Sequence, residues 1–402
     1  MNGVRLGFAF LLRRWGQALL CVLIGALGVA AVLMVTVAER ELPPAAQRAF
    51  GGVDLVIGPK GSSLDLVLCC VLHVSEPRGL IPLADAMAIV RHPLIRSAAP
   101  IALGDSIGGS RIAGTSPAIL SVYKAELAAG AVWAAPFQAV LGAQAARTLK
   151  LKIGDKFAGS HGLAAGSEIH AEFPYTVTGI LRPTGSALDR LVLTSLESVY
   201  QIHHHHEREE AEAKGDPPPE AAPPAATAVV AAFRSPIAMA SLPRLIDATP
   251  GFSGASPVME SARLVRAGRP VIMAALAIGV MFAIIAAATA AVALTAAIGA
   301  RTRDLALLRV LGAHPYELAW IAVAEAWMLS LAATLFGVLL MIVAGAQGSR
   351  LLAERNGLVF EGLPTLADIA QVLAAALVIA LLAALGPAIR AARAPVEEIL
   401  KP

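Results

Sequence analysis

Four consecutive histidines, His203, His204, His205 and His206, are followed at once by Glu207, Glu209 and Glu210. Imidazole and carboxylate groups are common ligands of divalent transition ions, so this run could hold Zn²⁺, Cu²⁺ or Ni²⁺. If the helical pattern at 195–202 continues, His203 and His206 share a face three residues apart, and Glu207 joins it one turn on. The competing reading is a solvated loop without a selected ligand. Residues 203–226 are highly charged in their first half and rich in Pro and Ala in their second, and neither half can build a core. A second chemical candidate is Glu325, a carboxylate flanked by apolar residues. Such a group within a membrane segment marks either a functional site or the interface, and Arg301 or Arg309 could pair with it. Cys69 and Cys70 are adjacent, and no charged residue within three positions is there to lower a thiol pKa, which argues against a redox pair. Residues 58–63 read GPKGSS, which has the composition of a phosphate loop but not its G-x-x-x-x-G-K-[ST] spacing, so they are read as a turn. No nucleophile-elbow motif is present. The chain is therefore not expected to be an enzyme.

The elements that position these groups follow from where charge is absent. Residues 15–38, 270–300, 326–349 and 369–389 contain no Asp, Glu, Lys or Arg. A bilayer core needs roughly 20 apolar residues in helical form, so the chain reads as one spanning helix, a large polar segment, then three more. The hydrophobic share of 57%, the charged share of 15% and a mean hydropathy of +0.69 fit that layout. Arg5, Arg13 and Arg14 with the apolar run that follows could suggest a cleavable signal, but the run far exceeds the roughly 7–15 residues of a signal h-region. A retained helix is expected. Basic residues then fix the orientation. Arg5, Arg13, Arg14, Arg301, Arg303, Arg309, Arg390, Arg393 and Lys401 all fall on one side. The opposite side carries residues 350–368, with more acidic than basic groups, and residues 39–269, in which the two balance. The termini are expected in the cytoplasm and the large segment outside. A net charge of +3 without a basic aromatic patch excludes a nucleic-acid partner. The second apolar segment is rich in Ala and Gly, which allows close helix packing in lipid.

The expected layout is a cytoplasmic N-terminus at 1–14, helices at 15–38, 270–300, 317–349 and 369–389, a coupling loop at 301–316, a short outer loop at 350–368 and a cytoplasmic tail at 390–402. Within 39–269, β-branched runs at 53–58, 110–115, 176–181, 191–194 and 227–233 predict strands. Helical patterns at 82–91, 141–150, 195–202 and 236–248 lie between them, so the outer domain is expected to be α+β. The fold class is an α-helical membrane protein with this domain inserted between its first and second helices.

The most specific stretch is residues 301–315, RTRDLALLRVLGAHP. Leu305, Leu308 and Leu311 recur every three residues and predict one apolar face of a short helix, with Gly312 as its stop and Pro315 as a breaker. A helix placed just inside the membrane could act as a lever against a cytoplasmic partner, or simply rest on headgroups.

This run resembles the cytoplasmic loop of the FtsX-like, MacB-type ABC transporter permeases, with Asp304 where that family usually has Glu. Glu325 matches a Glu often found early in the family's next helix. The tail at 387–400, PAIRAARAPVEEIL, resembles the family's ending, one residue shorter before Pro-Val-Glu. Residues 141–156 (LGAQAARTLKLKIGDK) and 178–185 (TGILRPTG) resemble its extracytoplasmic domain.

The resemblance implies a homodimer working with a separate ABC ATPase, and contact to that ATPase through Arg303, Asp304, Leu305, Leu308, Arg309, Leu311, Gly312 and Ala313. It implies that ATP acts only through that partner, with force passed to the outer domain for export or extraction of a substrate; metal-related handling is the reading that the histidine run adds. A periplasmic adaptor or substrate-binding protein is a further partner it implies, as is the bacterial inner membrane as location. The alternatives are a membrane-anchored binding or assembly scaffold and a secondary carrier. A carrier usually needs more than one buried ionisable group, which counts against it.

Overall fold

The computed structural model describes residues 8, 11–161, 172–214, 223–356 and 362–393, with some side chains inside these ranges, among them Glu207, Arg303 and Asp304, outside the description. The chain divides into two compact units. One comprises Met1–Leu42, Ala267–Leu351 and Phe360–Pro402; the other comprises Pro43–Arg266 with Leu352–Val359.

The first unit is built on four helices long and apolar enough to cross a membrane: Trp15–Phe50, Pro257–Gly299, Pro315–Ser349 and Leu366–Ala392. All four run past the uncharged segments that announce them. Pro43 and Pro44 lie inside the first, Pro270 inside the second and Pro387 inside the fourth. The third continues as regular helix to Asn356.

Small residues set how closely these helices approach. A Cβ added at Gly28 would lie 3.1 Å from both the Gly279 carbonyl oxygen and the Ala283 amide nitrogen on the second helix. One added at Gly337 would lie 2.6 Å from Val29 Cβ and 2.8 Å from the Ala26 carbonyl oxygen. The Gly and Ala content of these segments therefore has a packing reason, because lipid tails offer no hydrophobic drive and backbone proximity must supply the contact.

The second unit is a mixed sheet with helices against it. The strand order is Phe252–Ala255, Leu55–Pro59, Ala228–Phe233, Ile95–Ile107, Ser110–Thr115, Val192–Ser195, Gln138–Leu141, Tyr175–Leu181, Leu127–Gly130. Two pairings are parallel, Val192–Ser195 with Ser110–Thr115 and Gln138–Leu141 with Tyr175–Leu181; the others along this path are antiparallel. Lys156–Phe157 adds to Tyr175–Leu181, and Ser160–His161 adds to Ile95–Ile107. Strand Ala228–Phe233 is buried throughout, as a central strand covered on both faces must be. Its alternate side chains divide between two cores. Val230 packs with Val56, Ile101 and Leu193, while Val229 and Ala231 pack with Leu55, Ile57 and Ile246. A third core gathers Ile112, Leu141, Phe157, Tyr175 and Val192.

The five expected strands are present as Leu55–Pro59, Ser110–Thr115, Tyr175–Leu181, Val192–Ser195 and Ala228–Phe233. One expectation is corrected. The first half of the 203–226 insertion is helix, not loop, because Leu196–Lys214 runs unbroken through the histidines. Glu, Arg, Ala and Lys are good helix formers in solvent, and the inward residues Val199 and Ile202 anchor the helix start.

Candidate functional site

The loop at 301–315 folds into the short helix Thr302–Val310. Its end is fixed by backbone bonding. The Gly312 amide donates to the Arg309 carbonyl at 3.0 Å, and the Ala313 amide donates to the Leu308 carbonyl at 3.0 Å. Gly312 adopts φ +99°. This is a Schellman termination, and the left-handed backbone explains why glycine stands there. Pro315 is not a breaker, as the sequence suggests, but the first residue of the next helix. Its missing amide costs nothing at that position. Glu317 completes the start by accepting from the His314 amide at 2.9 Å.

The three leucines at 305, 308 and 311 do not share one face, contrary to the expectation from their spacing. Leu305 is buried with Leu318, Ile321 and Ala391, and Leu308 packs against that cluster from its edge. Leu311 is 81% exposed. A three-residue step on a 3.6-residue turn drifts by about 60° each time, so two steps carry Leu311 off the buried side. The exposed apolar surface is instead Leu307, Val310 and Leu311. Arg309 is half-buried, and the side chains of Arg303 and Asp304 lie outside the described residues.

Glu325 lies in the third spanning helix with its side chain 7% exposed, and Arg301 Nη1 stands 3.5 Å from its Oε1. Of the two partners that sequence order offers, the structure selects Arg301. Arg301 is also the residue immediately before the short helix. The helix is thus held at its start by an ion pair to the third spanning helix, and along its length by Leu305 against the third and fourth.

A second arginine tie was not foreseen. Arg40 of the first spanning helix binds Asp368, donates to the Leu363 carbonyl at 3.0 Å, and reaches the Thr365 hydroxyl at 3.3 Å. Thr365 and Asp368 form a reciprocal capping box at the start of the fourth helix, with the Thr365 amide donating to Asp368 Oδ2 at 2.8 Å. The signal was available. Thr-x-x-Asp directly before an apolar run is the capping-box pattern. Nothing in the order of residues placed Arg40 beside it.

The histidine run stands on the helix Leu196–Lys214. His205 Nε2 lies 3.0 Å from Glu172 Oε2, and its ring meets Phe173 edge-on at 5.1 Å. His203 lies against Gly104, where an added Cβ would come within 2.6 Å of Nε2. Among the described residues no group of three or more His, Cys, Asp and Glu side chains is placed to hold a metal ion, and the Glu207 side chain is outside that description.

Comparison with known proteins matches both parts of the chain. Residues 18–248 match the MacB-like periplasmic core domain, and residues 276–396 match the FtsX-like permease C-terminal domain. No curated protein matches. Among solved structures, the periplasmic region of MacB from Actinobacillus actinomycetemcomitans aligns at 13% identity and a TM-score of 0.34, over 54% of this chain and 94% of that one. The extracellular domain of the noncanonic ABC-type transporter YknZ from Gram-positive bacteria aligns at 10% identity and a TM-score of 0.29, over 51% and 99%. With one apolar helix before an α+β domain in the chain and three after it, and both family matches in that order, the chain belongs to the FtsX-like, MacB-type permeases of ABC transporters, multi-pass membrane proteins with a periplasmic domain.

Proposed function

We propose that the helix Thr302–Val310 is the contact through which a separate ABC ATPase drives this permease, and that the chain itself hydrolyses nothing. The observation that carries this is the split of its apolar residues. Leu307, Val310 and Leu311 face outward, while Leu305 and the Arg301–Glu325 pair bind the same helix to its own spanning helices. A helix resting on headgroups needs the outward face but has no use for a buried ion pair at its start. On this reading two copies of the chain work with two ATPase copies in the inner membrane. Their cycle is passed to the periplasmic domain, where a substrate or adaptor is extracted, exported or handled.

Reconstitution with a candidate ATP-binding-cassette subunit tests the proposal. ATP hydrolysis by that subunit should rise on adding this chain, and the rise should be lost with Leu311→Asp. A rise that survives Leu311→Asp at equal expression contradicts it.

Metal-related handling would rest on the histidine run, in which His203 and His206 stand three residues apart on the continuing helix. Zinc calorimetry on the full chain should show stoichiometric binding that His206→Ala abolishes. Absence of binding heat removes this part and leaves the coupling untouched.

A further inference from the structure

The four spanning helices meet around a cavity of about 290 Å³, and each of them contributes to its wall. No charged side chain lines it, and Ser330 supplies its hydroxyl. The cavity has a cause in the sequence. The first helix is drawn close to its neighbours at glycine, and a Cβ added at Gly25 would lie 2.9 Å from Ala333 Cβ. The second and fourth helices instead face the gap with alanines spaced by four and three residues, Ala283, Ala287 and Ala290 on one and Ala376, Ala380 and Ala383 on the other. Single methyl groups leave that space unfilled.

Its depth is that of one leaflet. Along the first helix the lining runs from Cys21 to Val32, a rise of about 16 Å at 1.5 Å per residue. That is about half of a hydrocarbon core near 30 Å thick. Val280, Ile284 and Ile379 line the cavity and are also exposed on the outer surface, so it opens sideways into the bilayer.

One end of the cavity is polar. Cys21 and Leu329 also line a second, smaller pocket, whose wall includes Arg14, Gln17, Arg301 and Glu325. This pocket lies at the N-terminal end of the first helix, where exposed Trp15 marks headgroup depth, as Trp does at bilayer interfaces. Glu325 is engaged by Arg301 at 3.5 Å, and half-buried Arg14 stands in the same pocket with Gln17.

We propose that the cavity and its basic end together hold one anionic phospholipid of the leaflet in which Arg14 lies. One acyl chain runs between the four helices. The phosphate accepts from the Arg14 guanidinium, with the Gln17 amide as a second donor. The guanidinium fork matches phosphate oxygens, and basic pockets between spanning helices are where anionic headgroups bind. A second copy of this chain is the poorer occupant, because it would bring the same arginines to the same level of the membrane. The site rests on neither the coupling reading nor the histidine run.

Native mass spectrometry tests this on the full chain, stripped of lipid in detergent and titrated with phosphatidylglycerol or with phosphatidylcholine of the same acyl chains. One phosphatidylglycerol should bind per chain, and phosphatidylcholine more weakly. Arg14→Gln should weaken phosphatidylglycerol about fivefold, the weight of one arginine beside an anionic headgroup. Ala287→Phe, which fills the cavity, should abolish the site, and Arg393→Gln should leave it unchanged. Equal binding of the two lipids, unchanged affinity in Arg14→Gln or unchanged binding in Ala287→Phe overturns the proposal. Photo-crosslinking of the unmutated chain with phosphatidylglycerol carrying a diazirine in one acyl chain guards against misfolded variants. Crosslinks are expected at Ala287 and Ala376, removed by excess phosphatidylglycerol and not by phosphatidylcholine. Crosslinks confined to outward residues such as Val271 and Leu366, or a cavity shielded by a second copy with no lipid crosslinked there, overturn it.

Discussion

Glu325 and Arg301 illustrate how one pair of side chains decides between readings. Both are largely removed from solvent. Removing either partner of such a pair strands the other charge, which costs more than the pair contributes intact. The expectation is a coupling energy of roughly 0.5–3 kcal/mol between Arg301→Ala and Glu325→Ala in a double-mutant cycle of unfolding in mixed micelles. Additive effects would show that the two do not act on each other. Elsewhere, His73 carries a pH signature. Its folded pKa of about 3 lies below its unfolded value near 6.5, so the unfolded chain binds more protons between the two. Its contribution is complete above pH 6.5 and is lost as pH falls toward 3, at up to about 1.4 kcal/mol per pH unit. His73 has φ +56°, a backbone that Asn tolerates. Below pH 6 the melting temperature should therefore fall less steeply in His73→Asn than in the parent chain. Parallel profiles would place the acid sensitivity elsewhere.

At the scale of elements, the helix contacts give a controlled comparison. Gly337→Ala should lower the melting temperature of the membrane unit, because the new methyl meets Val29 and the Ala26 carbonyl, and overpacking of this kind costs about 1–3 kcal/mol. Gly386→Ala, with nothing within 4 Å of the added atom, should be neutral or slightly stabilising. Equal effects at the two positions would mean that close packing is not what the glycines serve.

These elements also show what could be read in advance. Uncharged runs marked the spanning helices, since no water is available there to solvate charge. Short β-branched runs bounded by turn residues marked Ser110–Thr115 and Ala228–Phe233. The strand Ile95–Ile107 gave no such signal. It contains Pro100 and Gly104, and it exists because Ala228–Phe233 pairs along one edge and Ser110–Thr115 along the other. That is tertiary context overriding local preference. The helix Thr302–Val310 was legible as a segment but not as a face, because three leucines at one spacing fit either side of a helix until neighbours such as Leu318 and Ala391 choose. The Arg40–Asp368 tie joins residues far apart in sequence, and no local pattern encodes it.

For the whole molecule, one apolar helix precedes the periplasmic domain along the chain and three follow it. The membrane unit ties its helices by arginine at two places, Arg301–Glu325 beside the helix Thr302–Val310 and Arg40–Asp368 at the start of the fourth spanning helix. Under the proposed coupling, such ties let the unit transmit force as a stiff body, and the helix Thr302–Val310 is the point where the ATPase attaches. Co-purification of its ATP-binding-cassette partner subunit with this chain measures that attachment directly. The subunit should stay bound to the unmutated chain and to Leu366→Asp, whose exposed leucine lies at the opposite end of the fourth helix, and be lost from Leu311→Asp. An ATPase subunit that never binds, or that binds Leu311→Asp as well as the unmutated chain, would contradict the coupling mechanism.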